Sequence, residues 1–383
     1  MLSIPLEHGP VRVTGAYDFD RTDTGIMPRR LPEWTRIQMQ PFIDFVVAMA
    51  SGIRLEFVTD SDRIELDAGL VRFDLGGGNV ADAVFDLEID HGAPVSSLGD
   101  GGDLVSMDID NPGSILVQHG KGCTVVFNDL GKQPKHCALW LPANAQVELR
   151  ELRISDTATI SAAPDNERPR WVHHGSSISH CMEANQPTGT WPVVAARLGN
   201  VEVINLGLGG ACHLDQFVAR TMRDIPADFL SVKVGINVVN GDTLKERTFA
   251  PALHGFLDTI REGKPDTPLL VISPIFCPAH EKVPGPTIPG PDGKSTAIAD
   301  HEEIRPGSLT LEQVREIINS VVNARRAAGD SNLHYLDGLA LFGEADVADL
   351  PDDLHPNAAG YARMGKRFRD RAFGPGAVFD ALT

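Results

Sequence analysis

The hydrophobic pattern of this chain changes period between residues 155 and 170, and that change constrains the fold more than any single motif. Before it, polar and apolar residues alternate over Arg54–Thr59, Arg63–Asp67, Ala83–Ile89, Cys123–Phe127 and Gln146–Ile154. Successive side chains of a strand point to opposite faces, so a period of two predicts half-buried antiparallel strands. Turn residues separate them: Asp60-Ser61-Asp62, read as a hairpin-like turn, then Gly76-Gly77-Gly78-Asn79, Gly99 to Asp103, and Asn111-Pro112-Gly113. Gly76 to Gly78 lacks the following lysine and helix start of a phosphate loop. No long helix is expected here. Short strands with Gly/Asp-rich turns predict an all-β, jelly-roll-like sandwich over residues 1–158.

Residues 159–168 are polar and proline-bearing and read as a linker. From 169 to 383, continuous apolar runs alternate with helical segments. Arg170–His174, Val201–Leu206, Phe229–Val234, Pro268–Ser273 and Leu333–Leu336 are the strand candidates. Pro192–Leu198, Pro251–Arg261 and Leu311–Ala328 are the helix candidates, the last with a Thr310/Gln313 capping box and an apolar stripe from Leu311 to Val322. Strand–helix alternation predicts an α/β domain with a doubly wound, flavodoxin-like parallel sheet, whose sites lie at the carboxyl ends of the strands. Cys277 to Ser308, rich in Pro and Gly, follows the fourth strand and is expected to cover substrate.

At 383 residues the chain accommodates two domains, each with its own core. A formal charge of -18 disfavours a phosphate backbone as partner, so no nucleic acid is expected. No apolar run approaches the ~18 residues of a membrane span. The five cysteines are odd in number and widely spaced, and no cluster has metal-ligand spacing, so neither a disulfide framework nor a metal site is expected. With no basic and apolar leader pattern in Met1–His8, a cytoplasmic protein with reduced thiols is expected.

The first strand of the second half runs into Gly175-Ser176-Ser177-Ile178, a tight turn carrying hydroxyls. A serine hydroxyl becomes a nucleophile when a histidine takes its proton and an acid fixes the histidine's tautomer. Asp352-Asp353-Leu354-His355-Pro356 offers both on one turn, with Asp352 or Asp353 as the acid and Pro356 starting a helix over Asn357–Phe373. Oxyanion donors are available from Asn205–Gly210 and from Gly235-Ile236-Asn237, each following a strand. His173 and His174 read as strand-end packing, with substrate contact as the alternative. His180, Cys181 and Glu183 read as lining the entrance or capping the following helix.

These blocks, in this order, resemble the SGNH/GDSL hydrolase superfamily over Arg170 to about Phe373. The resemblance implies Ser177 as nucleophile, His355 as base, Asp352 as its acid, and Ser177, Gly210 and Asn237 as oxyanion donors. His174, Ser176, His180 and Ile236 are carried as substrate-contact candidates. The chain departs from the family in having Ser176 where an aspartate is usual, which leaves Ser176 as a competing nucleophile. It also has Val238 where an aspartate usually supports the asparagine loop.

The same residues serve transfer to water or to a hydroxyl acceptor. The length and two-domain layout are similar to those of acyltransferases of tetracycline-type polyketide biosynthesis, in which a carbohydrate-binding-module-like sandwich precedes the SGNH domain. That similarity implies an aryl- or acyl-CoA donor, a hydroxyl acceptor and no bound cofactor. The alternatives are an esterase or deacetylase acting on an acylated carbohydrate or other small ester, and an inactive binding protein.

Overall fold

The computed structural model describes residues 1–74, 80–107, 115–290, 293–298 and 305–380. The turns expected at Gly76–Asn79 and Asn111–Gly113 lie outside the described residues. The chain forms two compact units, Met1–Asn166 with Ala184–Thr188, and Glu167–Glu183 with Gly189–Thr383.

The described residues of the first unit form two sheets. In one, the long strand Ile64–Asp74 pairs antiparallel with Ala145–Ile154 and with Cys123–Phe127, and in parallel with Asp103–Met107. In the other, Lys135–Trp140 lies between Arg54–Thr59 and Ala83–Ile89, antiparallel to both. The alternation read from the sequence sends Leu55, Phe57, Phe85 and Leu139 of one sheet into the same core cluster as Leu66, Val125 and Val147 of the other. Asp60-Ser61-Asp62 is not a hairpin: the strands it joins belong to different sheets. The buried Lys135 ammonium holds this crossing, donating to the Ser61 carbonyl at 2.8 Å. Ile160–Ala162, expected in the linker, is a strand paired with Arg54–Thr59, so its backbone groups are satisfied within this unit. Thr188 also belongs here, its N–H donating to the buried Asp86 carboxylate at 3.1 Å.

In the second unit five strands, all parallel, are ordered Glu202–Gly207, Arg170–Gly175, Phe229–Lys233, Leu269–Ile272 and Leu333–Leu336. In chain order this is 2-1-3-4-5, which puts the topological switch point between the first and third strands. Helices cover both faces, and the first strand makes this visible. Trp171 and His173 point one way, where Trp171 stacks on Phe368 at 4.8 Å and His173 meets Trp191 edge-on at 4.8 Å. His174 points the other way and stacks on Phe256 at 6.0 Å. The helices Trp191–Gly199 and Ala358–Ala372 pack together, as do Gln216–Asp224 with Glu246–Gly263, and Glu246–Gly263 with Leu311–Ala327.

Three helix readings change. Gln216–Asp224 is a helix that the sequence pattern did not single out. Glu246–Gly263 starts before Pro251, which sits inside it. The sequence rule places proline at a helix start because it lacks an N–H; here the cap at Lys245, whose N–H donates to the Thr248 hydroxyl at 2.9 Å, sets the start instead. The last helix starts after Asn357, whose side chain accepts from the Gly360 N–H at 2.9 Å, so Pro356 precedes the cap and does not open the first turn. The capping box at Thr310 and Gln313 is formed from both sides, at 3.0 and 3.2 Å. No helix among the described residues is long and apolar enough to cross a membrane.

Candidate active site

At the end of the first parallel strand the chain enters a four-residue helix, Ser177–His180. Gly175 permits the close turn. A Cβ there would fall 2.2 Å from the Ser179 hydroxyl and 2.8 Å from its Cβ. Ser176 is fully buried and caps the short helix, its hydroxyl accepting from the Ile178 N–H at 3.3 Å. In Trp171–Cys181 only Ser177 is not buried. The short helix is fixed from behind by Asn205 of the neighbouring strand, whose amide donates to the Ser179 carbonyl at 2.8 Å and whose Oδ1 accepts from Gly207.

Across 178 residues of sequence, His355 brings its Nε2 to 2.9 Å from Ser177 Oγ. Its Nδ1 lies 2.7 Å from Asp352 Oδ2. The other oxygen of Asp352 accepts the N–H groups of Leu354 and His355 at 3.0 and 2.7 Å, so the turn itself aims the carboxylate. The neighbouring Asp353 turns away in a left-handed conformation and pairs with Lys294 at 3.0 Å. Asp352, not Asp353, therefore meets the imidazole. In the neutral ring, with Nδ1–H given to Asp352, Nε2 is the lone-pair nitrogen and accepts from the serine hydroxyl.

Burial works against a charged His355 ring, but the nearby Glu183 charge and the hydrogen bond and charge of Asp352 outweigh it and raise its pKa to about 9. Asp352 is held below the usual carboxylate range: partial burial opposes this, and the His355 contact and the backbone N–H groups overcome it. Glu183 Oε1 lies 3.8 Å from His355 Nδ1, and its Oε2 accepts from the Tyr361 hydroxyl at 2.7 Å. The sequence read Glu183 as lining the entrance or capping the following helix; only the fold brings residues 183, 355 and 361 together.

Gly210 and Asn237 follow the second and third strands. Gly235, at φ 114°, turns the third strand into the short helix Ile236–Asn240, and a Cβ there would meet Val314 at 2.5 Å. Asn237 is 5% exposed, and its Oδ1 accepts the Cys212 N–H at 3.0 Å, which leaves the Nδ2 protons as free donors. Gly210 is exposed, and its carbonyl is held by His213 Nε2 at 3.2 Å.

Several substrate-contact candidates fall elsewhere. His174 is buried, with Nδ1 at 2.8 Å from the Leu206 carbonyl and Nε2 at 3.4 Å from the Cys212 thiol. Ser176, His180 and Ile236 are buried too. Their side chains pack the strand ends and offer a substrate no open face. His173 sits between the Ser231 and Ser179 hydroxyls at 2.7 and 2.8 Å, and burial holds its pKa well below the ordinary value, so the ring is neutral. Cys181 ends the short helix in a left-handed conformation and is buried. In the Cys277–Ser308 segment, the strands Thr287–Pro289 and Ser295–Ala297 form a hairpin, and the Ser295 N–H donates to the Asp352 carbonyl at 2.9 Å.

A 2-1-3-4-5 parallel sheet, a serine at the carboxyl end of its first strand and an Asp-x-x-His turn hydrogen-bonded to it form the arrangement of the SGNH/GDSL superfamily. Residues 174–363 match the GDSL-like lipase/acylhydrolase family, so the second unit carries a domain of that family. Among solved structures, the chain is similar to the salicylyl-acyltransferase SsfX3 from a tetracycline biosynthetic pathway, with 26% identity over 96% of this chain and 95% of that one and a TM-score of 0.80. It shares its fold with a GDSL-like lipase from Bacteroides ovatus (21% identity, 93% of each chain, TM-score 0.68). It also shares it with a family two carbohydrate esterase from Clostridium thermocellum (14% identity, 94% of this chain and 97% of that one, TM-score 0.58). No curated protein sequence matches the chain significantly.

Proposed function

We propose that this GDSL-type enzyme is a serine acyltransferase that moves an aryl or acyl group from a CoA thioester to a hydroxyl of a tetracycline-type polyketide. His355 Nε2 takes the Ser177 proton as Oγ attacks the thioester carbonyl. The N–H groups of Ser177 and Gly210 and the Nδ2 of Asn237 bind the oxyanion. The thiolate leaves with the proton held by His355, and an acyl-Ser177 intermediate remains. His355 then deprotonates the acceptor hydroxyl, which attacks the acyl-enzyme and releases Ser177. No bound cofactor enters this scheme.

The observation that carries the transferase reading is the likeness to the salicylyl-acyltransferase, which extends over both units at 26% identity. In the same reading the first unit is a jelly-roll-like sandwich of carbohydrate-binding-module type, and the segment Cys277–Ser308 covers substrate. The setting is cytoplasmic, in keeping with five buried, unpaired cysteines. The second reading is ester hydrolysis, on an acylated carbohydrate or another small ester. It rests on the partial exposure of Ser177 and His355, since water reaches an acyl-enzyme by the same face.

The test supplies salicylyl-CoA or acetyl-CoA to the purified protein with and without a tetracycline-type acceptor. The expected product is the acylated acceptor. Release of free acid alone, at the same rate whether or not the acceptor is present, rejects transfer and leaves hydrolysis.

A further inference from the structure

His355 faces two carboxylates. Asp352 Oδ2, at 2.7 Å, takes the Nδ1–H. Glu183 Oε1, at 3.8 Å from the same nitrogen, is too far to share that hydrogen bond, yet it lies within close electrostatic range of the ring. Glu183 is not loosely placed. Its other oxygen accepts from the Tyr361 hydroxyl at 2.7 Å, and Tyr361 is fully buried in the helix that follows His355. Burial and the Glu183 charge both hold Tyr361 protonated, so it remains a donor. The carboxylate thus approaches the imidazole from the segment after the nucleophile helix, while Asp352 approaches from the imidazole's own turn. The other charged pair nearby, Lys294 with Asp353, is matched within itself at 3.0 Å.

We propose that Glu183 is a positioning residue for the catalytic base: a second carboxylate, anchored by Tyr361, that shares with Asp352 the positive charge His355 carries during acyl transfer. The proposal rests on the serine acyl-transfer reading above. The ring becomes imidazolium when it takes the Ser177 proton, and returns to neutral when it passes that proton to the leaving group. Each carboxylate lowers the energy of the charged ring without receiving a proton. Glu183 therefore makes the ring a stronger base, and it also raises the pH at which the free ring becomes neutral.

These two consequences give a signature that a packing role lacks. Glu183→Gln keeps the shape and the acceptor oxygen for Tyr361 and removes only the charge. In hydrolysis of p-nitrophenyl acetate, its kcat/KM limb moves down by about one pH unit, and its alkaline plateau falls by roughly three- to tenfold. Below the limb the two enzymes run within about a few-fold of each other, because the weaker base is more often neutral. Glu183→Asp, which retains the charge on a shorter arm, gives a limb between those of the wild type and the Gln variant. A Gln variant whose profile superimposes on the wild type, or whose plateau falls with the limb unmoved, overturns the proposal. Ser177→Ala run alongside separates the two readings. If it leaves the activity unchanged, the serine mechanism itself fails; if it abolishes activity while Glu183→Gln leaves the limb in place, only the role of Glu183 fails.

Discussion

The Cys212 N–H donates to Asn237 Oδ1 at 3.0 Å, so the asparagine amide has one orientation and its Nδ2 is turned away from the Cys212 backbone. The second strand's loop thereby aims a side chain carried by the third strand's loop. The support an aspartate after the asparagine would give is absent in this chain, where the residue is a buried Val238. The backbone of Cys212 does that work here. Replacing Asn237 by Ala removes the oxyanion donor proposed for it and is expected to lower kcat by about 10²–10³-fold with little change in KM. Asn237→Asp keeps the acceptor for Cys212 but substitutes a negative charge for the donor, and it is expected to lose at least as much. Steady-state kinetics on an activated ester checks both.

The pH dependence follows from His355, whose pKa is raised to about 9. The base proposed here acts when neutral, so kcat/KM for an uncharged ester is expected to rise with pH and level off only above that value. Stability runs the other way. A histidine whose folded pKa lies above the ordinary value near 6.5 contributes stability that is complete below about pH 6.5 and is lost as pH rises through about 9. The melting-temperature difference between the wild type and His355→Gln is expected to shrink across that window. A difference that widens towards alkaline pH contradicts the assignment.

Gly175→Ala tests the nucleophile turn. The added Cβ meets Ser179 at 2.2 Å on its hydroxyl and 2.8 Å on its Cβ, inside a layer pinned by Asn205 and His173. Such overpacking costs about 1–3 kcal/mol. It also pushes the helix that carries Ser177, so activity is expected to fall by more than the loss of folded protein accounts for. Thermal melts together with kcat per folded molecule separate the two effects.

Much of the second unit was legible because parallel strands buried on both faces read as apolar runs, and Leu269–Ile272 stands out that way. The Gly-Ser-Ser turn, Asn237 and the Asp-x-x-His turn were readable because their chemistry needs particular residues at particular strand ends. Other features were hidden for physical reasons. Gln216–Asp224 spans only nine residues, too short a window for its buried Phe217, Val218, Thr221 and Met222 to stand out as a helical stripe. The Asp60–Asp62 crossing has the composition of a hairpin turn, and only the pairing of its flanking strands with different partners distinguishes it. For His173 and His174 the sequence favoured strand-end packing but left substrate contact open, and the hydrogen bonds to Ser231, Ser179 and Leu206 place both rings inside the packed layers. Glu183 carries no motif, because its partner Tyr361 lies 178 residues away.

The adjacent acids Asp352 and Asp353 offer a comparison in which sequence position is nearly constant and geometry is not. Asp352 accepts three N–H groups, from His355 Nδ1 and from the backbones of Leu354 and His355, and so fixes both the tautomer and the turn. Asp353 adopts φ 60° and pairs with Lys294, whose side chain is 47% exposed, in a contact largely open to solvent. An exposed pair of that kind contributes about 0–1 kcal/mol. Asp353→Asn is therefore expected to change kcat/KM by less than about threefold, the scale of such a pair. Asp352→Asn keeps an acceptor for the turn but loses the charge that holds the imidazolium and permits the wrong tautomer, a change that costs about 10⁴-fold in a serine protease triad. With Glu183 retained as a second carboxylate, the expected loss here is smaller, roughly 10²–10³-fold, and it deepens when Glu183→Gln is added. Equal losses at Asp352 and Asp353 in matched kinetics would show that the turn as a whole, and not the one carboxylate on Nδ1, governs the base.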